Sequence, residues 1–159
     1  MGTAVISPCG TYRYKLERPL TGVGICCFVM LNPSTADGEK DDPTLRRCIG
    51  FAKREGMGSL EVVNLFAFRA TNPELLHTAG DPVGPENDQY LRAAFDRANL
   101  IICAWGEHGS LHSRDRQVMQ MIGGRAMCLG LTAKHQPKHP LYIPKEAPLI
   151  PFKVREGVP

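Results

Sequence analysis

Apolar residues in this chain come in four short runs, each closed by polar or turn-forming residues. The first, VGICCFVML (Val23 to Leu31), is apolar at nearly every position, as a strand covered on both faces requires. It stops at Asn32-Pro33-Ser34. From Pro43 the spacing turns helical, with Leu45, Cys48, Ile49 and Ala52 on one stripe and Arg46, Arg47, Lys53 and Arg54 on the other. Asp42 is the natural N-cap, Pro43 suits the first helical position, and Gly56 and Gly58 end the segment. The same alternation repeats: SLEVVNLFAF as a strand, GPENDQYLRAAFDRA as a helix, NLIICAWG as a strand, SRDRQVMQMI as a helix and RAMCLGL as a strand. Ahead of them TYRYKLER alternates apolar and polar positions, the pattern of an edge strand or hairpin.

Strands that alternate with helices predict a three-layer α/β/α sandwich around a central, mostly parallel, four-stranded sheet. We expect one domain over residues 1–159, with an N-terminal edge strand or hairpin at 1–20, an α/β core at 23–142 and a tail at 143–159 packed on that core. In such a sheet, ligands bind beyond the carboxyl ends of the strands. Polar residues follow every run there: Asn32-Pro33-Ser34, then Asn64, then Trp105-Gly106-Glu107-His108, then Thr132 through His139-Pro140.

Composition changes this picture little. The net charge of +3, from 19 basic and 16 acidic residues, permits nucleic-acid binding without arguing for it. Six cysteines without a CxxC pair read as reduced, mostly buried thiols rather than a disulfide or metal framework, which fits a cytoplasmic protein. No basic flank precedes a long apolar run and no 18 consecutive residues are apolar, so neither a signal peptide nor a membrane span is expected. A monomer without metal or cofactor is the simplest expectation.

The order of motifs resembles the uracil-DNA glycosylase superfamily. LNPS is similar to the Asn-Pro-Gly/Ser turn after the first strand, VVNLFAFRA to the second-strand segment whose Asn reads the base, and IICAWGEHG to the third-strand segment; HP in KHPLY matches the start of the His-Pro-Ser-Pro loop. More closely, LNPSTAD, DDPTLRRC, VVNLFAFRAT, DPVGPEND and KHPLYI resemble a family of small bacterial and phage domains of unknown function.

The distant resemblance implies a metal-independent glycosylase acting on an ordinary or modified pyrimidine in DNA, with no iron–sulfur cluster because the cysteines are wrongly placed. Asn32 would position the attacking water through its carbonyl. An amide is a poor base, so a slow enzyme is expected, and Asp37, Asp41 or Asp42 would take the proton better. Asn64 carries a donor and an acceptor to match a pyrimidine edge, and His139 would donate to a carbonyl as charge develops. Pro33, Ser34, Trp105 and Leu141 would complete the base pocket, with Leu141 and Tyr142 as a wedge filling the vacated stack. Trp105, the only Trp and followed by Gly106, reads also as a packed end of the third strand. Arg46, Arg47, Arg69, Lys134 and Lys138 would form a phosphate-binding rim if they share that edge. The stretch DPVGPENDQY has no counterpart in the comparison; it reads as a turn before a helix, or as Asn87 and Asp88 at the pocket mouth. The other readings are a non-catalytic binder of nucleic acid or nucleotide, and a hydrolase or transferase of free nucleosides.

Overall fold

Successive side chains of Ile25–Met30 (β3) enter two different cores: Cys27 and Val29 pack in one, Cys26, Phe28 and Met30 in the other. A strand buried on both faces needs an apolar side chain at each position, and this run supplies it. In the computed structural model, which describes residues 2–34 and 36–155, the same division holds along Ser59–Asn64 (β4) and Leu100–Cys103 (β5). Pro43–Arg54 (α1) covers one face with Leu45, Cys48, Phe51 and Ala52. Asn87–Arg97 (α2) and Arg114–Ile122 (α3) cover the other with Leu91, Phe95, Val118 and Ile122. Met1, Thr35 and residues 156–159, which belong to the expected N-terminal, core and tail spans, lie outside the described residues.

The sheet is larger than four strands. With Thr3–Ile6 (β1), Arg13–Pro19 (β2), Ala126–Cys128 (β6) and Ile150–Pro151 (β7) it has seven among the described residues, in the order β1-β2-β4-β3-β5-β6-β7. The inner block β4-β3-β5-β6 is parallel, while β1, β2 and β7 join antiparallel, so the sheet is mixed. The short return from β1 to β2 can only add an antiparallel strand, whereas the helical crossovers in the middle make parallel ones. The second run also stops earlier than its hydrophobicity implied: β4 ends at Asn64, and Leu65, Phe66 and Ala67 are buried outside the strand.

From β3 the chain passes through α1 to β4 on one side, then through α2 to β5 on the other. The crevice between the carboxyl ends of β3 and β5 is therefore the topological switch point. Two caps hold its loops. Asp42 accepts from the Leu45 amide at 2.8 Å as the N-cap of α1. Arg18, buried on β2, bonds Asp41 at 2.9 Å and the carbonyls of Asp37 and Lys40, fixing the segment that leaves β3.

Five of the six cysteines are buried, and burial pushes each of their thiols up, Cys26 to about 12. Cys9 is exposed, and the Ser7 and Thr11 hydroxyls, 3.4 and 3.3 Å from Sγ, bring it down to about 7. A thiol reagent at pH 8 is therefore expected to label one cysteine rapidly and the other five only on unfolding. Cys9→Ser should abolish the fast phase.

Candidate active site

A cavity of about 680 Å³ opens at the switch point, and Asn32, Asn64 and His139 all line it. Each arrives by a different route. Asn32 follows β3, and its Nδ2 donates to the carbonyls of Ala70 (2.9 Å) and Pro33 (3.1 Å), which turns Oδ1 away from these carbonyls. No donor reaches that Oδ1 among the described residues. Ser34 also lines the cavity, its hydroxyl donating to Asp42 at 3.2 Å, so the residue that caps α1 also forms part of the wall.

Asn64 ends β4 and is 1% exposed, yet both its Nδ2 and Oδ1 lack any partner among the described residues. Leaving a buried polar atom unpaired costs about 1–3 kcal/mol. The backbone around it is firmly held. Asn87, fully buried, donates from Nδ2 to the carbonyls of Asn64 (3.0 Å) and Leu65 (3.1 Å), and Arg114 Nε donates to the Leu65 carbonyl at 2.8 Å. Asp88 pairs with Arg114 in turn. This accounts for the stretch DPVGPENDQY. Asp81 accepts from the Gly84 amide, Gly84 takes a φ of +95° close under Tyr12 and Ala67, and Asn87 lies behind the end of β4 rather than at the pocket mouth.

His139 is half-buried on the cavity wall. Burial pulls its pKa below 6.5, with Asp42 opposing in part. Its Nδ1 accepts from the Leu141 amide at 3.2 Å, an arrangement that puts the proton of the neutral ring on Nε2. The ring is thus a neutral donor at pH 7.

Other expected residues divide. Trp105 lines the cavity as a fixed wall: it is 1% exposed, donates from Nε1 to Gln136 at 2.7 Å and meets Phe152 edge-on. A Cβ at Gly109 would come within 2.2 Å of its ring, so no larger residue fits there. Leu141 and Tyr142, 47% and 77% exposed, stand at the mouth, and Lys138 reaches the lining. Pro33 is buried and outside the lining.

Asp37 does not reach the cavity. Its Oδ1 accepts from the amides of Lys40 (2.7 Å) and Glu39 (2.9 Å), which lower its pKa, so the carboxylate shapes its own loop. Arg47 does not stand free for phosphate: it donates to the carbonyls of Pro140 and Ile143 and lies over the Phe51 ring, stapling the 140–143 turn to α1. Arg46, Arg69 and Lys134 are also outside the lining.

Arg13 is the charged lining residue that sequence reasoning missed. It is 4% exposed, donates from one terminal nitrogen to the Ala36 carbonyl at 2.9 Å, and leaves Nε without a partner. Burial lowers its pKa to about 10, Asp42 opposing, so it remains a cation. Asp42 and Glu107 are the acidic groups of the lining, the latter accepting from Thr132 at 3.0 Å. No cluster of three or more metal-ligating side chains occurs among the described residues, and no helix among them is long and apolar enough to cross a membrane.

The chain belongs to the DUF1643 family, described as a protein of unknown function, whose model matches residues 13–141. That span takes in every residue lining the cavity except Tyr142. Comparison with curated proteins and with solved structures gave no match.

The two buried asparagines should behave oppositely. Asn87→Leu removes two hydrogen bonds and is expected to cost about 2–3 kcal/mol in chemical denaturation. Asn64→Leu removes only unpaired atoms and should leave stability unchanged or raised. In an NMR titration the His139 ring should show its midpoint below 6.5. Since the folded state then binds the proton less tightly than the unfolded chain, this residue's contribution to stability is complete above 6.5 and lost as pH falls through the lower folded midpoint.

Proposed function

We propose that the protein is a glycosylase-like hydrolase that removes an ordinary or modified pyrimidine base from DNA, without a metal. The observation that carries this reading is the Asn64 amide, buried and without a partner among the described residues at the end of β4, in a cavity that Asn32 and His139 also line. A pyrimidine edge offers adjacent carbonyl and imino groups, which an amide satisfies with its donor and acceptor together. Flipping the nucleotide into the cavity leaves Leu141 and Tyr142 at the mouth to fill the gap, with Lys138 near the phosphates.

In this reaction Asn32 Oδ1 accepts a hydrogen bond from the attacking water. The water oxygen bonds to the anomeric carbon, the glycosidic electron pair leaves on the base, and Asp42 takes the water's proton before passing it to the departing ring. His139 Nε2–H donates to the carbonyl on which charge accumulates. Asp42 replaces Asp37 in this scheme because it stands on the cavity wall.

The test is incubation with single- and double-stranded oligonucleotides carrying uracil or modified pyrimidines, followed by alkaline cleavage. Abasic product is expected, with His139→Ala lowering the rate about 100-fold. Folded protein that yields none would remove the enzyme reading for those bases. A second reading, a non-catalytic binder of DNA or a nucleotide, draws on Asp42 being occupied as a helix cap. Salt-dependent binding without turnover would select it.

A further inference from the structure

β2 carries an irregularity that changes what faces the cavity. Opposite Val5 stands Lys15, but opposite the next residue, Ile6, stands Arg13, so Tyr14 is an extra residue in the ladder. Strict alternation would send Arg13 and Leu16 to opposite faces of the sheet. With the bulge both line the cavity, while Tyr14 stacks on Tyr90 of α2 in the other layer, ring centroids 5.0 Å apart. Because β2 runs antiparallel to β4, with Leu16 opposite Val62, Arg13 comes alongside the end of β4 and donates its amide to the Ala67 carbonyl at 3.0 Å. Arg13 and Asn64 are thus two buried polar residues of a lining that also includes the exposed Leu141 and Tyr142.

None of the five ion pairs among the described residues includes Arg13. Asp42 is the acidic neighbour that favours its charge most, with Asp37 contributing less; Arg69 and Arg18 oppose it. A buried cation with an unpaired N–H is unfavourable unless an anion completes it. A cavity of about 680 Å³ also has room for more than a bare pyrimidine ring.

We propose that Arg13 is the anion-recognition residue of this pocket, and that the ligand is a pyrimidine carrying an anionic oxygen group, a carboxylate or a phosphate, seated against the guanidinium beside Asn64. This rests on the pyrimidine reading above and names the substrate class within it. A carboxylate on the ring reaches Arg13 when the ring edge pairs with Asn64; a phosphate reaches it when a free nucleotide enters in the reverse sense. Both accept a charge-assisted hydrogen bond from Nε–H.

Calorimetry with two probe pairs tests this without turnover: uracil against 5-carboxyuracil, and deoxyuridine against deoxyuridine 5′-monophosphate. The anionic member of one pair is expected to bind at least about tenfold more tightly. Arg13→Met should erase that preference while melting at or above the temperature of the unaltered protein. Arg13→Gln, which retains a donor for the Ala36 carbonyl, should erase it too. Preference within the first pair assigns the anion to the base, and within the second to a phosphate. In the unaltered protein the Arg13 Nε–H proton resonance should move downfield with the preferred anion and not with its uncharged partner. Equal binding within both pairs, a preference that survives both substitutions, an unmoved Nε–H resonance, or no binding of any probe would each overturn the proposal. The absence of abasic product would count against base removal alone and leave the Arg13 assignment standing.

Discussion

The cavity is built around an amide that the fold buries and leaves without a partner among the described residues. Asn64 occupies the last position of a central parallel strand, where the backbone is held on one side by the β3 ladder and from behind by Asn87 and Arg114. Those interactions fix the carbonyls of residues 64 and 65 and give nothing to the Asn64 side chain. The hydrogen bonds at this strand end go to the backbone around the side chain and leave the side chain itself unsatisfied among the described residues. Sites of this kind violate local rules of polar satisfaction while their surroundings obey them.

The sheet explains why distant segments meet there. A chain that crosses from β3 to β4 over one face and from β4 to β5 over the other leaves a crevice between the ends of β3 and β5. Asn32 and Ser34 enter from one side of it and Trp105 from the other. The turn at 140–142, stapled to α1 by Arg47, closes the arc with His139. Loop and helix caps share residues with the wall: Asp42 holds the start of α1 and faces the cavity, so the geometry of the site is tied to the stability of that helix.

Much of this was legible in the sequence. Continuous apolar runs marked the inner strands because both faces are buried, and 3.6-residue spacing with Asp42-Pro43 marked α1. Asn32 and Asn64 were legible as neighbours because they follow or end inner strands, and His139 because it lies in the segment after β6; all three line one cavity. Other features lay outside any periodicity. Arg13 sat in a stretch whose alternation placed it opposite Leu16, and only the bulge at Tyr14 re-aims it. Asp37, Asp41 and Asp42 all offered a carboxylate; Asp37 is turned to its own loop by the amides of Glu39 and Lys40, a purely local contact. Arg47 looked like a phosphate-rim cation on the polar stripe of α1, but a turn more than ninety residues further on folds under it. β7, two residues long, carries too little pattern to be seen.

The central claim is that the Asn64 amide waits for a pyrimidine edge. A high-resolution crystal structure of the protein with bound deoxyuridine addresses it directly. The account requires both amide atoms of Asn64 within hydrogen-bond distance of the ring, which lies in the crevice between β3 and β5. A ring bound elsewhere, or an Asn64 side chain already paired to buried water or protein in the liganded crystal, would contradict it.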